Sequence, residues 1–237
     1  MRALNKLSPV ALATTLVIGS MTAMPLTAQA GVSGTVQAAN MYLWRGQNLT
    51  PNGAQVSGDL NYSHDAGMYA GVWTSTETGG QETDLYVGFG GGVGGVSYDI
   101  SYWKYLYPED CNSATPVSCS LGDTDASEFV VSLGFGPVSV ASYIAAESGS
   151  DDNNYYTVGV DFAEKFNLTY GFWDLENPGN EYSHVTLMYS FSDELTFGVS
   201  VASNDSGYTE EGNAPDATGV TEDPLFYVSY AKSFDLK

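Results

Sequence analysis

The sequence predicts an all-β fold: an antiparallel, up-and-down transmembrane β-barrel of about twelve strands, with ten as the alternative, preceded by a signal peptide. Three observations predict it. Short segments alternate apolar and polar residues, the connections between them are alternately long and short, and an export segment is followed by no apolar run of helix-spanning length.

The N-terminus comes first. Arg2 and Lys6 give a positive start, Val10 to Met24 is apolar, and Ala28-Gln29-Ala30 is an A-x-A cleavage site. Residues 1–30 are therefore expected to be a cleavable signal peptide and 31–237 the barrel. Pro25 and the small residues around it suit cleavage better than a retained membrane helix.

The strands follow. A first strand is expected over 33–45. Ala54, Val56, Leu60 and Tyr62 then alternate with Gln55, Ser57, Asp59 and Asn61. The same period of two recurs in Asp84 to Phe89, Val96 to Trp103, Glu128 to Phe135, Tyr155 to Phe162, Phe166 to Trp173, His184 to Phe191 and Phe197 to Ala202, and less cleanly near 68–75 and 138–146. Phe226, Val228, Tyr230 and Phe234 share one face of the last strand, a pattern that resembles the assembly signal of outer-membrane barrels. Lys232 on that face and the tail Asp235-Leu236-Lys237 depart from it. Tyr42, Trp44, Tyr62, Tyr102, Tyr170, Phe172, Tyr189 and Phe191 lie near strand ends, where interfacial girdles need rings.

A soluble β-sandwich also alternates, so the connections decide. Long ones are expected near 46–53, 76–82, 107–126, 147–153, 175–181 and 203–224, and short ones near 64–67, 90–95, 134–137, 163–165 and 192–194. Long loops on one side and tight turns on the other mark an outer-membrane barrel with both termini in the periplasm. An even strand count closes without an exposed edge.

After residue 30 the chain has 28 Asp and Glu against Arg45, Lys104, Lys165, Lys232 and Lys237, a net charge near −23. Nucleic acid is excluded, since its phosphates need basic partners. Cys111 and Cys119 share one polar loop, and export to an oxidising compartment makes a local disulfide the expectation. The partners expected are outer-membrane lipid and lipopolysaccharide, the barrel-assembly machinery during insertion, and small solutes, with oligomeric state left open.

The order Trp44-Arg45-Gly46-Gln47, Gln55 to Tyr62, Gly67 to Ser75, Glu82 to Gly88, Tyr98-Asp99 and Tyr107-Pro108 resembles the TorF family of porin-like proteins, a proteobacterial outer-membrane family of unknown function. The resemblance covers residues 34–110 and departs in the cysteine-bearing insertion at 109–126 and the acidic final loop. It implies a porin-like barrel and brings no substrate and no catalytic residues.

Strand parity turns Asp59, Asp84, Asp99, Glu128 and Asp161 inward, with His184 inward near a long loop. Carboxylates facing lipid are costly, which supports this parity, and a ring of them attracts cations. Tyr69, Trp73, Tyr86, Trp103, Tyr155 and Trp173 narrow the bore from the same face. Arg45, the single arginine after the signal, is placed at the end of strand one, where it either bridges to Asp84 or Glu128 or meets an anionic solute or headgroup. No enzyme is expected: His64 and His184 lie at opposite rims, and nothing marks a serine and carboxylate beside His184. The acidic loop Asp205 to Asp223 fits no EF-hand spacing and Gly90 to Gly95 no phosphate loop, so no metal site and no cofactor are assigned. The expectation is a narrow, cation-preferring channel for small solutes. The alternative is a closed barrel that binds at the surface or stabilises the envelope.

Overall fold

The computed structural model describes residues 30–51, 53–78, 80–107, 126–146, 154–174, 181–204 and 222–236. Residues 1–29 of the expected signal peptide at 1–30, the Cys111–Cys119 pairing and residues 205–221 of the acidic loop lie outside the described residues.

Fourteen strands are described: β1 Gly31–Ala39, β2 Leu43–Trp44, β3 Gln47–Asn48, β4 Gln55–Ser63, β5 Met68–Glu77, β6 Gly80–Val93, β7 Val96–Leu106, β8 Ala126–Phe135, β9 Val138–Ala145, β10 Asn154–Phe162, β11 Phe166–Asp174, β12 Tyr182–Ser190, β13 Leu195–Asn204 and β14 Leu225–Leu236. Twelve of them, all but β2 and β3, form one closed antiparallel barrel in which each strand pairs with its sequence neighbours. Closure comes from β1, which pairs with β4 on one side (Gln37 opposite Ser57) and with β14 on the other (Gln37 opposite Ala231). No sheet edge is left open to template aggregation, and every strand can satisfy its backbone in lipid. Among the described residues no helix is long and apolar enough to cross a membrane.

The period of two sets the two faces. Val56, Leu60, Leu85, Val87, Ile100, Val131, Val158, Val185 and Phe226 stand exposed on the outer surface. Their neighbours Ser57, Asn61, Asp84, Ser101, Ser132, Thr157, Thr186 and Ser200 are buried within. In water an apolar band of this extent would be untenable, whereas a hydrocarbon layer is the solvent it suits. The one charged side chain on the outer face of β14 is neutralised locally: Lys232 Nζ donates to Glu194 Oε1 at 2.9 Å.

The connections separate the two ends. At one end β4–β5, β6–β7, β8–β9, β10–β11 and β12–β13 are joined by tight turns, and β1 begins and β14 finishes there. Gly94 and Gly95 both adopt positive φ, as a two-residue hairpin turn requires. At the other end the expected long connection near 76–82 is corrected. The ladder of β5 and β6 runs on to Glu77 opposite Gly80, because Thr74, Ser75 and Thr76 continue to pair with Thr83, Glu82 and Gln81. The first strand is corrected as well. It ends at Ala39 rather than 45, and the chain then turns into the barrel interior.

Candidate functional site in the barrel interior

Residues 40–51 do not rise out of the barrel. They form a small hairpin, β2 and β3, whose turn is Arg45-Gly46, with both residues at positive φ (48° and 84°). Tyr42, Leu43, Arg45 and Gln47 are buried. Holding a non-glycine residue there costs roughly 1–3 kcal/mol, so the surroundings must fix it.

They do so from almost every side. Tyr42 packs against Trp73 of β5 (ring centroids 5.7 Å apart) and Trp44 against Trp173 of β11 (5.6 Å). Leu43 joins Ala39, Met188 and Tyr227 on the opposite wall. Thr78 donates to the Leu49 carbonyl through its backbone N–H (2.9 Å) and its hydroxyl (2.6 Å). Tyr182 donates to the Arg45 carbonyl at 3.0 Å, and Gln47 Nε2 donates to the Tyr182 hydroxyl. The segment touches β5, β11, β12 and β14 at once and so lies across the barrel interior.

Arg45 is the centre of this interior cluster. Its Nη1 and Nη2 donate to Glu128 Oε1 and Oε2 at 2.9 and 2.5 Å, a fork-to-fork pair. Its Cζ lies 4.5–4.7 Å from the ring centroids of Trp44, Tyr143, Tyr155 and Trp173. Tyr105 also donates to Glu128 Oε2 at 2.8 Å. A buried charge pair offsets its desolvation only with such complete geometry. Of the two carboxylates expected to meet Arg45, Glu128 does. The placement of Arg45 at the end of strand one is corrected, because the Arg-Gly turn carries the guanidinium into the barrel. Tyr42 and Trp44 are likewise interior residues, not girdle residues.

The other predicted lining residues all face inward, in two tiers. Toward the long-connection end, Asp84 and Glu82 are buried beside the hairpin, while Asp84 Oδ1 and Glu82 Oε2 meet no described hydrogen-bond donor. Tyr107 donates to the other oxygen of Glu82 at 2.9 Å. Glu82 and its neighbour Glu77 are residues that sequence reasoning did not select. The i, i+2 step from Asp84 to Glu82 carried the signal, and the expected loop at 76–82 concealed it.

Toward the tight-turn end lie Asp59 on β4, Asp99 on β7 and Asp161 on β10, each three barrel strands from the next. Tyr69 donates to both oxygens of Asp99 (2.8 and 2.7 Å), and Asn167 donates to Asp161 Oδ1 at 2.8 Å. Trp73, Tyr86, Trp103, Tyr155 and Trp173 are buried on the interior face, as their parity predicts. Tyr86 stacks on Trp103 at 4.4 Å between the two tiers.

His184 lies beside the hairpin, away from His64 at a tight turn. Its Nε2 meets the Tyr155 hydroxyl at 2.6 Å and its Nδ1 the Thr186 hydroxyl at 2.9 Å. Thr186 passes the chain on to Ser200 at 2.7 Å. Both ring nitrogens are engaged by hydroxyls, which fixes the orientation of the ring. Among the described residues no group of three His, Cys, Asp or Glu side chains converges as a metal ion requires.

A closed twelve-stranded barrel with an apolar exterior and a polar interior is a transmembrane barrel of the outer-membrane class. The chain belongs to the Gcw_chp family, described as a bacterial protein of unknown function, whose profile matches residues 22–171. That span contains the residues on which the TorF resemblance rests. No curated protein matches the sequence. Among solved structures it is similar to the KdgM porin, at 8% identity and a TM-score of 0.47 over 86% of this chain and 99% of that one. Outer membrane phospholipase A from Escherichia coli follows, at 11% and 0.42 over 87% and 94%. The NanC porin is similar at 10% and 0.41 over 86% and 99%.

Proposed function

We propose that the protein is a narrow, porin-like channel for passive passage of small solutes, that it prefers cations, and that the hairpin at 40–51 forms its constriction. One observation carries this reading. Glu82, Asp84, Glu128, Asp59, Asp99 and Asp161 face the interior on five strands, and among the described residues Arg45 is the one basic side chain that faces it. Arg45 balances Glu128 and leaves the rest of the interior acidic. Inward carboxylates with low-dielectric walls concentrate cations and repel anions.

The same reading sets the long-connection end outside the cell, beside lipopolysaccharide, and both termini in the periplasm. Insertion then relies on the barrel-assembly machinery, with the alternating aromatics of β14 as its signal. The TorF resemblance is consistent with a porin-like role.

Planar-bilayer recording tests it. A potassium chloride gradient across bilayers holding the purified barrel is expected to give small conductance steps and a reversal potential of cation-selective sign. Anion selectivity defeats the proposal. Complete absence of conductance favours the second reading, a closed barrel that binds at the surface or stabilises the envelope. The observation behind that reading is the core-like packing of Tyr42, Val130 and Tyr155, which are at most 1% exposed.

A further inference from the structure

We propose that the barrel wall carries a binding site for a guanidinium-bearing solute, and that Arg45 occupies this site as an internal substitute for that solute. The parts of the site belong to the wall. Glu128, Tyr143, Tyr155 and Trp173 stand on the four consecutive strands β8, β9, β10 and β11, are buried, and face inward. Only Trp44 arrives with the hairpin. The sheet fixes the carboxylate fork and three aromatic faces whether or not the hairpin is in place.

The chemistry selects a planar cation. Glu128 accepts two parallel N–H bonds, and the rings lie 4.6–4.7 Å from the guanidinium carbon. A guanidinium satisfies both forks and stacks on rings, whereas an ammonium is a point charge that cannot match the fork.

Two features make the occupancy by Arg45 reversible. First, Arg45 is delivered from a turn at positive φ, so withdrawal relieves backbone strain. Second, a seat for the displaced side chain exists. Glu82 Oε2 and Asp84 Oδ1 are buried acceptors without a described donor. A solute that takes Glu128 can thus move Arg45 onto the Glu82–Asp84 pair and draw the hairpin aside. The tether gives Arg45 an effective concentration on the order of millimolar, so a free solute competes in that range. The effect of displacement on flow rests on the channel reading; the binding itself does not.

The experiment uses the refolded full barrel in detergent, as R45A and as R45A/E128Q. Tryptophan fluorescence, for which Trp44 and Trp173 are the two of the four tryptophans at the site, is followed during titration with methylguanidinium chloride. Potassium chloride and butylammonium chloride at equal ionic strength are the comparators. R45A is expected to saturate with methylguanidinium alone, and R45A/E128Q to bind it roughly tenfold or more weakly, as loss of a charge-assisted bidentate contact implies. No saturable response in R45A overturns the proposal, as does a response that potassium or butylammonium reproduces or that survives E128Q. Should R45A fold poorly, methylguanidinium in the refolding buffer is expected to restore the heat-modifiable gel band, and failure to restore it also overturns the proposal. Bilayer recording separates this from the channel reading. Binding without current retains the site and removes the channel, and cation-selective current without binding does the reverse.

Discussion

Gly46 lies so close to His184 that a Cβ added at position 46 would stand 2.6 Å from both Cβ and Cγ of the histidine. The turn of the interior hairpin is therefore seated on the one histidine of β12. Tyr155, stacked on that ring with 8° between planes, is also one of the rings around Arg45. Seat and latch share a side chain.

This contact gives a first prediction. Gly46→Ala meets both the short contact and a φ of 84°, and neither the ring nor the turn can yield without the other. A destabilisation of roughly 1–3 kcal/mol is expected, as for overpacking and left-handed strain. The urea midpoint in detergent should fall, and the strand ladder, read by circular dichroism, should be unchanged because the hairpin is not part of the barrel. Unit conductance is expected to rise as the hairpin loses its seat. An unchanged midpoint would show that the hairpin is not seated on His184.

A second prediction concerns the latch. Glu128→Gln takes away the counter-charge that holds the Arg45 guanidinium at the wall; a fully stranded buried charge costs about 3–5 kcal/mol, and the Glu82–Asp84 seat is expected to hold the loss below that. Replacing both partners, as in R45M/E128L, removes the uncompensated charge. It is expected to be much less destabilising than E128Q alone. A double-mutant cycle on urea midpoints measures the coupling, and additive losses would contradict a tightly paired fork.

Strand parity was legible in the sequence because each strand meets lipid on one face and a polar interior on the other. That contrast repeats at every second residue along β4, where Gln55, Ser57 and Asn61 are buried and Val56, Leu60 and Tyr62 exposed, and again along β14, where Tyr227, Ser229 and Ala231 are buried and Phe226 and Tyr230 exposed. The interior hairpin was not legible, for a physical reason. Tyr42 and Trp44 continue the alternation of β1, and an Arg-Gly turn lacks the Asn or Asp that signals a hairpin of this type. The pairing of Arg45 with Glu128 was within reach of sequence reasoning, since a lone interior arginine needs a carboxylate at its own depth. The aromatic cage was not, because its rings come from strands whose relative depth only the register fixes.

The third prediction addresses selectivity. Asp59, Asp99 and Asp161 stand at the tight-turn end, where Asp161 is exposed and the other two half-buried. D59N/D99N/D161N keeps the size of each side chain and an acceptor oxygen for Tyr69 and Asn167, so the fold is expected to hold. The potassium-to-chloride permeability ratio should fall several-fold, with little change in unit conductance, because the constriction lies at the other tier. A ratio unchanged in the triple variant would place the selectivity elsewhere.

The fourth prediction turns on Glu194 and Lys232 at the tight-turn end. The hydrogen bond from Lys232, and then its charge, hold the Glu194 carboxyl below the ordinary glutamate range. A carboxyl depressed in the folded state binds fewer protons than in the unfolded chain. Its contribution is therefore fully present above the unfolded value of about 4.3 and is lost as pH falls through the lower folded value. Glu194 is half-buried at its turn with its side chain one-third accessible, so the contribution is small and screened by salt. On acidification from about pH 6 to about pH 3, the urea midpoint of the parent barrel should fall slightly more than that of E194Q, whose amide does not titrate. The difference should shrink in half-molar potassium chloride. Lys232 would then face lipid without a counter-charge in E194Q at every pH, so that variant should also insert less completely into vesicles. Equal insertion and parallel acid profiles would show that the pair does not neutralise Lys232 at the membrane boundary.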